Sequence, residues 1–153
     1  MTPQNIMIGR SGEFLAASYL SRVFDDIYFA EASSRFDFLV VKDHINYKIQ
    51  VKTTNATSLK KKDLWCRWDI AKKQTNKVSK RVYASDEVDI FAFVALMLDK
   101  VVFVPNRNLT KTFNKKVEYL EQVDTLQSLN QSLEQLLLET NDTTKTRVQT
   151  RHK

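Results

Sequence analysis

Polar and apolar residues alternate most cleanly over Tyr47–Thr53. There Tyr47, Ile49 and Val51 form an apolar row and Lys48, Gln50 and Lys52 the polar row opposite. A two-residue period is that of a strand with one face in a core. Just upstream, Phe36–Val41 repeats the pattern, with Phe36, Phe38 and Val40 on one side and Asp37, Leu39 and Val41 on the other. The polar residues Lys42–Asn46 between them make a connection of hairpin length. Ile27–Ala30 is a further short apolar run, read as a strand. Before it, Arg10–Phe24 is helix-compatible, with Ser11 as the expected N-cap. Glu13 then falls in the first turn, where the helix dipole favours a carboxylate. Later, Asp89–Leu98 is apolar and β-prone, and Val101–Val104 is a strand ended by Pro105. With Asp99-Lys100 as a tight turn, these predict a hairpin or a strand pair buried on both faces. Asn114–Glu139 reads as mostly helical: Leu126, Leu129, Leu133 and Leu136 follow 3-4-3 spacing and Leu137 widens the stripe. This order predicts an α/β fold, a central mixed sheet flanked by helices.

The length, 153 residues, fits one domain over 1–139 and a flexible basic tail over 140–153, where the chain turns polar and loses periodicity. Hydrophobic residues make up 42% of the chain, enough for one core. No run of 18 apolar residues occurs, the N-terminus lacks a signal-peptide layout, and the lone Cys66 can form no internal disulfide. A cytoplasmic protein with no membrane association is expected. The net charge of +6 points to an anionic partner, and its distribution is more telling. Lys60–Arg81 holds nine basic residues (Lys60, Lys61, Lys62, Arg67, Lys72, Lys73, Lys77, Lys80 and Arg81) against two acidic ones, Asp63 and Asp69. That excess outweighs the net charge of the whole chain. Trp65, Trp68 and Tyr83 lie in or beside it. A charge run is often only a solvated face. Here double-stranded DNA is the expected partner, with lysines on phosphates and Arg67 or Arg81 able to read base edges. The two tryptophans fit packing better than base stacking.

The candidate chemistry lies on the paired strands. Asp37 opens one, while Gln50 and Lys52 share a face of the next, so the three can converge at one end of the sheet. Glu13 can reach the same point from the first helix. Phosphodiester hydrolysis uses such a set: hard oxygen ligands for Mg²⁺ and a cation to orient water or offset transition-state charge. The plainer alternatives are an ion pair of Asp37 with Arg35 or Lys52, a solvated strand face carrying Lys48, and a helix-dipole role for Glu13.

The pattern Glu13 … Asp37 … Gln50-Val51-Lys52 resembles the PD-(D/E)XK nuclease superfamily, and in particular its intron-encoded homing-endonuclease branch. Gly12–Ala17 is similar to the family's first helix, Ile49–Thr54 to its signature strand, and Asp89–Val94 with Val101–Pro105 to its later strands. The resemblance covers about Gly12 to Pro105 and implies a restriction-endonuclease-like core. It also implies Mg²⁺ (with Mn²⁺ as a substitute) held by Asp37, Gln50 and the Val51 carbonyl, Lys52 as catalytic lysine, and Glu13 as the helix-borne acid. Gln50 stands where most members have Asp or Glu, which lowers the charge offered to the metal. The implied activity is site-specific double-strand cleavage by a homo-oligomer, a dimer or tetramer. The alternatives are a junction resolvase and a DNA-binding module without catalysis. The leucine stripe is suited either to the core or to helix–helix association between protomers.

Overall fold

The computed structural model describes residues 2–70, 72–73, 80–81 and 86–150, with side chains described at 2–70 and 86–141. Five strands form the central sheet: β1 (Asp26–Phe29), β2 (Phe38–Lys42), β3 (Ile45–Thr54), β8 (Ile90–Ala95) and β9 (Lys100–Pro105), in spatial order β1-β2-β3-β8-β9. β1, β2 and β3 form an antiparallel meander, β3 and β8 run parallel, and β9 returns antiparallel to β8. The sheet is therefore mixed, as the order of elements predicts. The β2–β3 turn is Asp43-His44, both at positive φ, residue types that tolerate that region better than most. β8 is buried at all six positions, because both faces of the sheet are covered.

One face packs on helices. α1 (Pro3–Leu20) and α3 (Thr125–Thr150) bring Ala16, Leu20, Leu129, Leu133 and Leu136 onto Phe38, Val40, Ile49, Val51, Ile90, Ala92 and Val94. The other face packs on a second sheet, β10 (Thr112–Lys116), β5 (Asp63–Asp69) and β4 (Ser58–Lys60), and on α2 (Val117–Gln122). Cys66, Trp68, Ile70 and Leu120 meet Phe91, Phe93 and Val102 there. A two-stranded ribbon, β6 (Lys72–Lys73) with β7 (Lys80–Arg81), completes the chain. Among the described residues, no helix is long and apolar enough to cross a membrane.

Four local expectations change. α1 begins at Pro3, with Thr2 as N-cap accepting the Asn5 N–H at 3.3 Å. Ser11 is interior and donates to the Met7 carbonyl at 2.8 Å, so Glu13 sits mid-helix, outside reach of the N-terminal dipole. The basic segment contains the strands β4 and β5, and Asn114 to Lys116 are a strand, not helix. Leu96–Leu98 leave β8 as a 3-10 turn that ends at Asp99, φ 49°. Lastly, in the leucine stripe of α3, Leu129, Leu133 and Leu136 pack on their own sheet, the core alternative, whereas Leu137 is exposed and does not widen it; the polar face beside the stripe is used as well. Ser128 Oγ accepts the Phe103 N–H at 3.0 Å, Ser132 Oγ donates to Phe103 O at 3.1 Å, and Thr125 donates to Val101 O at 2.7 Å. These hydroxyls satisfy the open edge of β9, which a bare edge strand would expose to another chain. α3 continues through the polar stretch from Thr140 to Thr150.

Candidate functional site

β2 ends where β3 continues, and Asp37 occupies the gap. Its N–H donates to Ile49 O at 2.8 Å, and its Oδ2 accepts the Val51 N–H at 2.7 Å. In a strand, the N–H and C=O of one residue face the same edge. The Val51 carbonyl therefore points to the edge that β2 has vacated, beside the Asp37 carboxylate. Gln50 folds back to the same place, its Nε2 donating to Val51 O at 3.4 Å. The ladder that would otherwise consume these groups has stopped.

Gln50 and Lys52 lie on the face lined by Phe91 and Phe93, their partners in the parallel register. Glu13 comes from the opposite face on α1. Its neighbour Gly12 is buried against Thr53: a β-carbon on Gly12 would come within 2.8 Å of Thr53 Cβ and Cγ2 and closer still to Oγ1. That close approach of helix to strand sets Glu13 beside the site. Gly12 is a positioning residue that the strand and helix patterns do not reveal; the one hint is that the chain's two glycines both fall in α1.

Electrostatics ties the group together. Burial holds the Asp37 carboxyl above its usual range, offset by the Val51 N–H bond and by the Lys52 ammonium. Burial also raises Glu13, the Asp37 charge raises it further, and Arg10 partly offsets both. Burial holds up both carboxyls and the Asp37 charge holds Glu13 up further, a pair that a cation placed between them would ease. The oxygen donors that converge are the Glu13 and Asp37 carboxylates, the Val51 carbonyl and, after rotation of its amide, Gln50 Oε1. Such a set suits a hard divalent cation that keeps several waters. Among the described residues no cluster of three His, Cys, Asp or Glu occurs. Two acids, one amide and one backbone oxygen are what this edge offers.

The plainer readings of these side chains sort themselves. Arg35 pairs with Glu87, not Asp37. Lys48 is half-buried and donates to Asp86 O at 2.8 Å, so it anchors the loop before β8 and is no solvated bystander. Trp68 is buried, its Nε1 bonded to Val94 O at 3.0 Å, whereas Trp65 points to the other side of β5. Lys60, Lys61, Lys62 and Arg67 are exposed on the β4–β5 hairpin, with Arg67 3.4 Å from Asp69. Lys72, Lys73, Lys80 and Arg81 lie on the β6–β7 ribbon, which brings Lys72 opposite Arg81 and Lys73 opposite Lys80. Lys77 and Tyr83 lie outside the described residues. A hollow of about 530 Å³ is lined by Trp65, Lys116 and Tyr119 among others and by none of the four site side chains.

No family model and no curated protein matches the chain. Among solved structures, the fold is similar to that of the bacterial homing endonuclease I-Ssp6803I. The TM-score is 0.63 and the identity 15%, over 89% of this chain and 95% of that one. At that identity the likeness is one of fold.

Proposed function

We propose that the chain is a divalent-metal-dependent endodeoxyribonuclease that cuts both strands of duplex DNA at a specific site, a homing endonuclease in kind. One observation carries this reading: Asp37 fills the vacated edge of β3 with Glu13, Gln50, the Val51 carbonyl and Lys52 gathered around it. The fold likeness to a homing endonuclease and the basic excess of Lys60–Arg81 support it.

Asp37, Gln50 and the Val51 carbonyl would hold Mg²⁺, with Mn²⁺ as a substitute and Glu13 beside them. When bound, the metal supplies Lewis acidity at a phosphoryl oxygen and acidifies a bound water. The protein's own groups do the rest. The Val51 N–H fixes the Asp37 carboxylate in one orientation. Lys52, a cation at a half-buried position, orients the attacking water or offsets charge gathering on the phosphate. The open position of these residues on the sheet edge suits a polymer laid across it better than a small molecule enclosed in a pocket. Lysines and arginines of the 60–81 segment neutralise phosphates and fix the register of the duplex.

The test is cleavage of random-sequence plasmid DNA with Mg²⁺, followed by sequencing of the ends. Wild type is expected to produce ends at one recurring duplex site. Asp37→Ala and Lys52→Ala should lose about 10²-fold or more in rate, the scale on which preorganised charge acts. Full cleavage by either variant, or equal cutting of any four-way junction with no duplex site, would overturn the assignment.

A further inference from the structure

The hairpin of β4 and β5 turns through Lys61 and Lys62 at φ 48° and 72°. Two-residue hairpin loops with both residues in the left-handed region favour Asn-Gly or Asp-Gly. The β2–β3 turn uses Asp43-His44, types that visit this region several-fold more often than others. Lysine has no such tolerance, so the β4–β5 turn carries two side chains that its backbone disfavours. With Lys60, the tip presents three consecutive cations. Just behind it Leu59 pairs across the hairpin with Leu64. Leu59 is 70% exposed, more than any other large apolar residue described, and Leu64 is 48% exposed. Asp63, the acidic residue next to the turn, is bridged by Lys116 at 3.0 Å, so its charge does not offset the tip.

We infer that the β4–β5 hairpin is a groove-inserted ribbon: Lys60, Lys61 and Lys62 hold phosphates while Leu59 and Leu64 rest on base edges in the major groove of duplex DNA. This rests on the proposed nuclease reading and names the element that engages the substrate. A two-stranded ribbon fits the major groove, where thymine methyls offer apolar contact. Three lysines fit a polyanion, and two leucines alone make a small patch for a protein partner. The placement is suitable as well. β3 runs on from Lys52, and Leu59 is seven residues further along, at most about 25 Å of chain. That is about seven base steps at 3.4 Å, so a duplex held at Asp37 passes within the hairpin's reach.

The experiment measures binding of short alternating dA·dT and dA·dU duplexes against salt concentration, together with thermal unfolding. Three full-length proteins are compared: wild type, Lys61→Asn/Lys62→Gly, and Leu59→Ser/Leu64→Ser. The turn variant should unfold at higher temperature yet bind more weakly, with its log–log salt slope smaller by about two, one for each lost phosphate contact. The leucine variant should keep the wild-type slope, bind dA·dT about tenfold more weakly, and lose the wild-type preference for dT over dU. Variants that bind as wild type does would overturn the inference and leave the nuclease reading standing. A wild type that binds no duplex at low salt would overturn both. A leucine variant that changes the oligomeric mass without changing DNA affinity would mark the pair as a subunit contact and overturn the inference.

Discussion

A carboxyl raised above its normal pKa by burial is a residue whose charge destabilises the fold. For Asp37 and Glu13 the folded state binds the proton more tightly than the unfolded chain does. Stability therefore falls as pH rises from the ordinary values, 3.8 and 4.5, through the raised ones. Asp37→Asn keeps an oxygen for the Val51 N–H and removes the charge. It should raise the unfolding temperature at neutral pH, with the gain fading below the ordinary Asp range, while cleavage is lost. Melting curves at acidic and neutral pH check both signs; a lower melting temperature at neutral pH would contradict the burial argument. If this edge is the proposed nuclease site, the same shifts put the acid limb of cleavage above the usual carboxylate range. Because protons and the metal compete for these oxygens, the limb should move to lower pH as Mg²⁺ or Mn²⁺ is raised. Gln50→Glu adds a third carboxylate to the same edge, so half-maximal rate should need less metal. A rate profile that metal concentration leaves in place would argue against carboxylate ligation.

The two glycines of α1 make opposite predictions at the scale of helix on sheet. A β-carbon at Gly9 meets nothing within 4 Å. Gly9→Ala should therefore stabilise the helix by about 0.4–1 kcal/mol through the unfolded chain. Gly12→Ala forces α1 away from Thr53 at a cost of about 1–3 kcal/mol. It should lower cleavage as well, by carrying Glu13 off the site, and Thr53→Ala should recover part of both. Urea titrations of the variants separate the two glycines. Gly12 also shows what the sequence discloses and what it does not. Alternation on Phe36–Val41 and Tyr47–Thr53 is legible because one face of each strand is apolar, and it puts Gln50 and Lys52 on one face close to Asp37; the strands run on to Lys42 and back to Ile45 because Asp43 and His44 alone make the turn. The β4 and β5 strands are not legible, since lysines and a turn without glycine cover their period. The contacts of the α3 serines with β9 are not legible either, because a hydroxyl bonding to an edge strand looks like any polar residue in a helix pattern. The true start of α1 was hidden by Ser11, a good cap type that the chain spends inside the helix.

At the scale of the whole molecule, one chain offers one such edge, and a duplex has two strands of opposite direction. A single site must let go and reverse to cut the second strand, whereas a two-fold pair presents one site to each strand. If the chain acts as a homo-oligomer, wild type should convert a supercoiled plasmid bearing its site straight to linear product. Hetero-oligomers distinguish concerted from successive cutting. Wild type co-folded with an excess of Asp37→Asn gives assemblies holding one competent edge, because the substitution leaves the Val51 contact and the fold in place. Those assemblies can cut one strand only, so nicked circles should accumulate in proportion to the mixed species. Independent protomers behave otherwise: the variant merely dilutes them, and wild type itself passes through nicked circles on the way to linear DNA. Gel analysis of the three plasmid forms over time reads the difference directly. A mixed preparation that matches diluted wild type would remove the oligomer from the mechanism while leaving the chemistry of Asp37, Gln50 and Lys52 to be judged on the rate effects of their own substitutions.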